Sequence, residues 1–529
     1  MLTKFPKTLL FFLLFIAFVI TGMQQNNPSK KEPTRIDHEH ADSIVFERDN
    51  NPDVYVFMGD VIFRHDSTYM YCDSAYLYSL SNTLEAFSNV RIEQGDTLFI
   101  YGDYLVYEGN ISLAKMRENV RMENNSLTLF TDNFDFDRIK NIGYFFDGGM
   151  LVDSVNELTS VYGQYSPATK LATFREKVNL QNPQFLLTSD TLVYNTVNKV
   201  ANIVGPTVVE SDSGIIYSDL GWYNTITDEA MLYNRSTVVS KDRTKTITAD
   251  SLFYNRQTGF GEAFDNMVIN DTAKKIILTG NYGYYDQVKD YAFATDSAQA
   301  IEYSQPDSMF IHADTILLHT IGVEREIKAY YGVRFYRVDL QGLCDSMQIN
   351  TIDSVLCLYK NPVLWNTGYQ LTGDTMHIIF NDSTLERINV LNYAFSIEEK
   401  DTTFYNQMKG KNLYAYFTAG ELNLIEVQGN AESIYYPIDE DGVSFIGQNR
   451  TESSFMTIYV RNRQPVKIVW YPSPKAETLP IPDLNPEKKY LKDFVDYNYI
   501  RPKSKEDIFT KTVRKKEDIP PPRRKKKNR

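Results

Sequence analysis

The chain has 529 residues and a formal net charge of −13, with 43% hydrophobic and 13% aromatic residues. This composition fits a folded protein and excludes a largely disordered one. The 37 Tyr and 31 Phe favour strands, and long stretches rich in Ala, Leu, Glu and Lys are missing. We therefore predict that the body of the chain is all-β.

The N-terminus has the pattern of an export signal. Lys4 and Lys7 precede an unbroken apolar run from Leu9 to Ile20. As a helix, this run would extend about 18 Å, well short of the ~30 Å core of a bilayer. Residues 1–23 are therefore predicted to be a signal peptide, or an uncleaved N-terminal anchor because Thr21-Gly22-Met23 is a poor cleavage site. Either interpretation predicts export into the cell envelope, which conflicts with a nucleic-acid partner.

The segments that flank the body are polar. Residues 24–40 contain Pro and are predicted to be a linker, in which His38 and His40 are interpreted as linker residues rather than metal ligands. Residues 472–529 are first rich in Pro and then basic, and they are predicted to be a largely disordered tail. From Arg501 onwards there are 13 Lys/Arg and 4 Asp/Glu, a net charge of +9. This end of the tail is either solvated or contacts anionic lipid headgroups or an acidic partner.

The body contains an internal repeat. A small residue, an Asp and an apolar–x–aromatic alternation recur, as in SDTLVYN at Ser189 and ADSLFYN at Ala249. The Asp residues of these copies lie 29–31 residues apart or about twice that distance: Asp73, Asp103, Asp132, Asp190, Asp219, Asp250, Asp314, Asp345 and Asp374. About twelve copies of ~30 residues, counting degenerate ones, predict an elongated β-jelly roll or β-solenoid over residues 41–435, with residues 436–471 as its end or cap.

The repeated Asp is interpreted as a structural corner residue. In the segment ITADSLFY, Ile247 and Ala249 share one parity, whereas Leu252 and Tyr254 share the other. Side chains alternate along a straight strand, so all four can face the interior only if the chain bends at Asp250. Asp suits such a bend because its carboxylate accepts hydrogen bonds from nearby backbone N–H groups.

Inward-facing apolar side chains are the candidates for a lipid-holding groove. Each repeat has a second segment, 17 to 19 residues after the Asp, in which a polar turn precedes Val. The groove candidates from both segments are Leu192, Tyr194, Val208, Val238, Leu252, Tyr254 and Val268. Residue type leaves two interpretations open, because the same side chains would also form an ordinary filled core.

The phrase A-D-x-L-x-Y-N at Ala249, the segment Gly261-Glu262-Ala263 and the strand Asn266 to Ile269 resemble the OstA-like family. That family comprises the LptA-like periplasmic bridge protein of lipopolysaccharide transport and the N-terminal domain of the organic-solvent-tolerance protein. The resemblance extends over residues 41–435, as one module or as two or more stacked modules. The chain ends in a basic tail where the outer-membrane member would continue into a barrel, and residues 436–529 lack the succession of alternating strands that a barrel requires.

The resemblance implies a jelly roll with an open apolar groove that carries the acyl chains of lipid A. It also implies the envelope of a Gram-negative bacterium, end-to-end contact with other jelly-roll transport components through edge strands, and an outer-membrane translocon as a partner. The predicted function is therefore a non-enzymatic periplasmic bridge for lipopolysaccharide transport and outer-membrane assembly. A structural or adhesive envelope repeat protein with a filled core is the alternative.

Catalytic patterns are missing from the sequence. None of the six His belongs to an H-E-x-x-H motif, and G-x-S-x-G and phosphate-binding loops are absent. Cys72, Cys344 and Cys357 are too few for a disulfide framework, so free thiols are predicted, with a Cys344–Cys357 pair as the alternative. A polysaccharide-acting enzyme would need two or three converging carboxylates, whereas Asp is spread once per repeat. We predict no enzyme activity, no metal and no cofactor.

Overall fold

The computed structural model describes residues 34–518, apart from 48–51, 322–323, 351–353, 367, 382–383, 440–441, 443, 463, 512 and 516–517. The signal peptide or anchor predicted for residues 1–23 lies outside the described residues. Regular structure in the described part is almost entirely β-strand, with short 3-10 turns at Ile481–Asp483, Pro486–Lys488, Asn498–Ile500 and Asp507–Phe509. The predicted all-β class is therefore confirmed. No helix among these residues is long and apolar enough to cross a membrane.

The chain divides into two compact units, and the first comprises Met1–Gly149 and Gln164–Ala168. Its strands form antiparallel ladders between consecutive strands. They are β1 (Asp37–His40), β2 (Ser43–Phe46), β3 (Val54–His65), β4 (Thr68–Tyr78), β5 (Thr83–Gln94), β6 (Leu98–Glu108), β7 (Leu113–Asn124), β8 (Leu127–Asp137) and β9 (Ile142–Phe145).

The second unit comprises Met150–Gly163 and Thr169–Arg529. Two strands contain residues of both units, β10 (Gly149–Val152) and β12 (Tyr162–Ser166). The strands up to the middle of the second unit are β11 (Glu157–Ser160), β13 (Leu171–Asn182), β14 (Phe185–Asn195), β15 (Val200–Ile203), β16 (Thr207–Ser211), β17 (Gly214–Ser218), β18 (Leu220–Asn224), β19 (Glu229–Ser240), β20 (Lys245–Asn255), β21 (Phe260–Asp271), β22 (Ile276–Asp286), β23 (Tyr291–Thr295), β24 (Gln299–Glu302), β25 (Met309–His312) and β26 (Thr315–Ile321). The remaining strands are β27 (Glu324–Tyr336), β28 (Leu340–Asn350), β29 (Val355–Tyr359), β30 (Val363–Asn366), β31 (Tyr369–Thr372), β32 (Thr375–Asn381), β33 (Thr384–Glu399), β34 (Tyr405–Thr418), β35 (Glu421–Tyr435), β36 (Gln448–Arg461), β37 (Gln464–Tyr471) and β38 (Lys475–Leu479).

Each long strand is bent near its middle, so that its two halves belong to two layers. In β20, Lys245–Ala249 pairs in one layer, here the A layer, and Ser251–Asn255 pairs in the other, the B layer. The ladder with β21 is interrupted between Thr248 and Ser251. The buried positions change from odd to even numbers at the same point, since Ala249 and Leu252 are both buried. The two layers therefore enclose an interior between them. The bends lie on one side of this interior. The hairpin turns lie on the opposite side, which we name the turn edge.

The nine repeated Asp residues all lie at these bends. Six occupy an interruption of the ladder within a long strand: Asp73, Asp103, Asp132, Asp190, Asp250 and Asp345. The other three, Asp219, Asp314 and Asp374, separate two short strands. The neighbouring strand contributes two successive residues with positive φ, such as Ser88-Asn89 and Asp265-Asn266. Two residues thus face one, which is the geometry of a β-bulge.

A side-chain hydrogen bond closes several of the bends. The amide of Asn89 donates to the Asp73 carboxylate over 2.7 Å, and Asn266 donates to Asp250 over 2.6 Å. Asn119 makes the same contact with Asp103 at 2.5 Å. In all three repeats the partners are 16 residues apart. Asn tolerates the left-handed conformation better than most residues, which explains why it recurs there.

The interior of the first unit is filled by close-packed apolar side chains. Tyr107, Phe134 and Phe136 are among the largest fully buried residues of the described chain. Val90 and Val120, which directly follow a positive-φ pair, are also buried. This interior resembles an ordinary hydrophobic core.

A buried histidine lies at the turn edge of the first unit. His65 is 1% exposed, and its Nε2 lies 2.9 Å from the Thr34 carbonyl oxygen. Its Nδ1 lies 2.5 Å from the hydroxyl of Tyr107 and 2.9 Å from the guanidinium of Arg138. Burial holds the pKa of His65 below its ordinary value, and the Arg138 charge acts in the same direction, although the Thr34 contact and Asp66 oppose both.

We expect the first unit to lose stability as the pH falls through the ordinary histidine range. The unfolded chain takes up a proton on His65 near pH 6.5, whereas the folded chain takes it up only at lower pH. The stabilising contribution is therefore complete above pH 6.5 and declines below it, by up to about 1.4 kcal/mol per pH unit. Urea unfolding of wild type and His65→Gln between pH 5 and 7.5 measures the difference. Parallel pH profiles of the two proteins would contradict this expectation.

Two flanking segments differ from their predictions. The predicted linker 24–40 includes β1, which pairs with β3, so its last residues are part of the ladder. Residues 436–471 lie between these two segments and continue the ladder through β36 and β37. The prediction of a largely disordered tail from residue 472 was wrong for the described residues, since β38 pairs with β36 and residues 480–515 pack along the A layer.

We name residues 480–515 the strap. Two buried glutamine side chains hold its backbone: Gln407 bonds the carbonyl of Lys489 and the N–H of Leu491, over 2.9 and 2.8 Å. Gln370 bonds the carbonyl of Val495 and the N–H of Tyr497 over the same distances. Leu491 packs against Phe395 and Ile397, and Tyr497 and Ile500 pack against Val363 and Trp365. The strap replaces ladder hydrogen bonds with these side-chain contacts, which is why its Pro residues are tolerated.

Candidate functional site

The interior of the second unit is closed at one point of the turn edge by a buried ion cluster. Asp153 is 1% exposed in its side chain and lies 2.8 Å from the amino group of Lys199, which is 10% exposed. The hydroxyl of Tyr194 donates to the same carboxylate over 2.6 Å. Asp153 also accepts from the N–H groups of Val155 and Asn156, both at 2.9 Å. Burial alone would raise the pKa of Asp153, but these partners hold it below its ordinary value.

Further along the second unit, an apolar cavity of about 90 Å³ lies between β19 and β22. Buried residues Leu252, Ala263, Met267 and Ile269 line its inner wall. Val238, Ile247 and Tyr254 also line it and belong to the inward-facing parity, but they are only half-buried. The interior is therefore less completely covered here than in the first unit.

The small volume of this cavity has a clear local cause. Met267 projects across it towards Gly283, where an added Cβ would lie 1.8 Å from the Met267 sulfur. Gly283 thus leaves the space that the flexible thioether occupies. About 90 Å³ corresponds to roughly three water molecules. Rotation of Met267 is the simplest way to enlarge it.

A second ion cluster, here the edge ion cluster, lies at the turn edge beside this cavity. The amino groups of Lys245 and Lys274 lie 3.1 and 3.0 Å from the two carboxylate oxygens of Asp290. Lys274 also donates to the hydroxyl of Thr320 over 3.1 Å. Burial opposes ionisation of Asp290, but Thr320 and the two lysines lower its pKa to about 2. The lysines come from the A layer, whereas Asp290 and Thr320 come from the B layer, so the cluster joins the layers.

The structure brings together three of the seven predicted groove residues. Val238, Leu252 and Tyr254 line the cavity. Leu192 and Tyr194 are fully buried elsewhere in the second unit, and Tyr194 belongs to the buried ion cluster. The remaining two predicted groove residues, Val208 and Val268, do not line the cavity.

Val208 and Val268 have outward parity. Val268 lies between the buried Met267 and Ile269, and Val208 lies between the buried Thr207 and Val209. Val208 instead lines an outer groove of about 530 Å³ beside the bends. Side chains alternate along a strand, so the neighbours of each Val occupy the inward positions.

Sequence reasoning missed Ile247, Met267 and Ile269 as cavity residues. The signal was present, since the position directly after a positive-φ pair is inward in β5 and β7, at Val90 and Val120. Counting from Asp265-Asn266 in the same way selects Met267 and Ile269 instead of Val268. The error arose because the groove candidates were chosen by residue type, as the Val of each repeat. Their distance from the positive-φ pair was not used.

Other candidate chemistry is sparse in the described residues. They contain no group of three or more His, Cys, Asp or Glu side chains that could hold a metal. Cys72, Cys344 and Cys357 are free thiols, and burial raises the pKa of Cys72 to about 12. Cys357 lies opposite Gln348 rather than Cys344 in the β28–β29 ladder.

Comparison with known proteins gives partial matches to this chain. No curated protein is significantly similar in sequence. Among solved structures, the chain is similar to LptH of Pseudomonas aeruginosa, the LptA-homologous periplasmic component of a lipopolysaccharide transport device. The identity is 11%, the match covers 32% of this chain and 82% of that one, and the TM-score is 0.10. A family model described as OstA-like protein matches residues 33–190, which confirms for this part of the chain the OstA-like resemblance predicted from the repeats.

Proposed function

We propose that the protein carries lipid acyl chains across the envelope in the manner of a lipopolysaccharide-transport bridge, without covalent chemistry. The observation that carries the proposal is the cavity between β19 and β22. There the inward apolar side chains Val238, Ile247 and Tyr254 are half-buried, whereas Ile92, Ile100 and Tyr107 at equivalent positions of the first unit are buried. Apolar surface that faces an interior yet remains partly uncovered suits an apolar ligand.

The similarity of residues 33–190 to OstA-like proteins supports the same proposal. The ligand we propose is the lipid A part of lipopolysaccharide, and the location is the periplasm, reached through the N-terminal signal. The partners we propose are other jelly-roll components at the edge strands, an outer-membrane translocon, and anionic headgroups at the basic end of the tail. β37, which pairs with β36 along one side, is a suitable edge for such a contact.

Photo-crosslinking tests the proposal directly. A photoreactive amino acid is placed at Ile247 or at its neighbour Thr248, and the folded protein is irradiated with purified lipopolysaccharide. Ile247 lines the cavity, whereas Thr248 faces outward and contacts Thr237. We expect a lipid adduct from Ile247 and none from Thr248, because the two positions have opposite parity in one strand.

Leu252 provides a second inward position, with Ser251 as its matched neighbour. Circular dichroism and gel filtration of each variant establish that it is folded. Equal labelling of inward and outward positions would indicate non-specific adsorption. No adduct from either inward position of a folded protein would reject the lipid-carrying function.

The second candidate function is a structural or adhesive envelope protein with a filled core. The packing of the first unit favours it, since Tyr107, Phe134 and Phe136 are fully buried in its interior. In that case the outer surface would do the recognition, and lipopolysaccharide would label no inward position. The crosslinking result therefore separates the two functions.

A further inference from the structure

Two neighbouring hairpin turns beside the cavity carry a concentration of positive charge. The turn between β19 and β20 and the turn between β21 and β22 are joined by a hydrogen bond of 2.8 Å from the N–H of Thr272 to the carbonyl of Thr244. The two turns and the first residue of β20 supply five cationic residues, which we name the basic rim: Lys241, Arg243, Lys245, Lys274 and Lys275. Their own carboxylates are Asp242 and Asp271, so the rim is locally positive in a chain of net charge −13.

The members of the basic rim differ in how they are paired. Lys245 and Lys274 bond Asp290 in the edge ion cluster, and Lys241 lies 3.4 Å from Asp212. Arg243 and Lys275 are exposed and form no ion pair with the residues that the structure describes. Arg243 and Lys275 are thus available for an external anion. Asp290 already occupies an anion position between Lys245 and Lys274.

The basic rim is continuous with the apolar cavity. Lys245 itself lines the cavity together with Ser240, Val238 and Ile247. Its side chain is 28% exposed, so the alkyl part contributes to the wall and the amino group lies at the turn edge. An apolar chamber with cations at its rim is complementary to a molecule with an acyl chain and an anionic head.

We propose that the basic rim recognises the phosphate group of an amphiphile whose acyl chain enters the cavity. This inference rests on the proposed function, since it assigns the headgroup chemistry of the same site. Arg243 and Lys275 bind the phosphate, and Lys245 joins them when the amphiphile displaces Asp290 from the edge ion cluster. Guanidinium and ammonium groups both form charge-assisted hydrogen bonds with phosphate oxygens.

Equilibrium binding of three probes tests the assignment. They are dodecyl phosphate, an uncharged dodecyl glycoside and inorganic phosphate, each below any micelle-forming concentration. Full-length wild type is compared with Arg243→Gln/Lys275→Gln and with the charge-matched control Lys467→Gln/Lys475→Gln, whose lysines are exposed on β37 and β38. We expect the rim variant to bind dodecyl phosphate about 5- to 30-fold more weakly, at ~0.5–1 kcal/mol per exposed charge contact. Glycoside binding should change less than twofold.

Salt provides an independent readout, because screening shortens from ~10 Å at 0.1 M to ~3 Å at 1 M. Dodecyl phosphate should lose its advantage over the glycoside in 1 M NaCl. Equal affinity of wild type for the two dodecyl probes at low salt would overturn the headgroup assignment and leave the lipid-carrying function intact. Equally tight binding of inorganic phosphate would also overturn it, since no acyl chain would then be needed. Failure of both dodecyl probes to bind would instead reject the proposed function itself.

Discussion

Replacement of Lys199 by Met is expected to destabilise the second unit by about 3–5 kcal/mol, because it leaves the Asp153 carboxylate buried without a counter-charge. The hydroxyl of Tyr194 and two backbone N–H groups would remain as hydrogen-bond donors to the carboxylate. The pKa of Asp153 should rise in the variant, so acidification protonates the buried carboxylate and the loss of stability relative to wild type should be smaller at pH 5 than at pH 7. Urea unfolding at pH 7 and pH 5 measures both effects.

Lys289→Met is the matched control for this substitution. Lys289 pairs with Asp286 over 2.8 Å in the same unit, but it is 71% exposed and the pair is screened by solvent. We expect no measurable loss from the control. A loss from Lys199→Met as small as that of Lys289→Met would mean that water reaches Asp153.

Truncation after Leu479 is the second change with a large expected effect, because it removes the strap. The buried side chains of the strap include Leu491, Tyr497, Ile500 and Ile508. At ~1.5–3 kcal/mol for each buried apolar side chain, their contacts contribute about 6–12 kcal/mol before the cost of ordering the strap. The truncated chain should expose Trp365 and Phe395, bind a hydrophobic dye and aggregate, as gel filtration would detect.

A chain that ends at Asp518 is the control, since it lacks only residues 519–529 and keeps the whole strap. It should match full-length protein in dye binding and in its urea midpoint. A milder variant, Gln407→Ala, removes two hydrogen bonds to the strap and should cost about 1–3 kcal/mol. Unchanged stability after removal of residues 480–529 would show that the strap adds nothing to the fold.

The bent two-layer architecture could be predicted because its cause lies within one repeat. The parity change around Asp250 is visible in ITADSLFY, and the structure places a ladder interruption at that point. The Asn partner of the Asp was also present in the sequence, 16 residues later, at Asn89 and Asn266. The parity change at the bend and the Asp–Asn hydrogen bond both involve residues close in sequence, so both can be recognised from the sequence.

The inward side of the second segment was less accessible to sequence reasoning. A positive-φ pair shifts the register of one strand against its neighbour, so a shift of one residue reverses every side chain that follows. The segment DNMVI contains Met267 before Val268, whereas SNVRI places Val90 directly after its pair. Both positions hold an apolar residue in DNMVI, and hydrophobicity alone does not distinguish them.

The strap could not be predicted because its partners are distant in sequence. The Pro residues around Pro486 predict a segment without regular strands, and the structure has short 3-10 turns there. The order of the segment comes from Gln370 and Gln407, buried side chains that replace the missing ladder partners. Nothing near Pro486 in the sequence points to them.

The strap also determines the order in which the chain completes its folding. The ladders join strands that are consecutive or nearly so, which keeps contact order low for a β protein and allows repeats to form one after another as the chain emerges. The strap contacts are of a different kind, since Gln370 and Val495 are 125 residues apart and Gln341 and Arg501 are 160 apart. They can form only after the repeats they cover. The strap, which is synthesised after the repeats it covers, therefore shields apolar surface left on repeats that folded earlier, and chains that stop short of it remain open to proteolysis and aggregation.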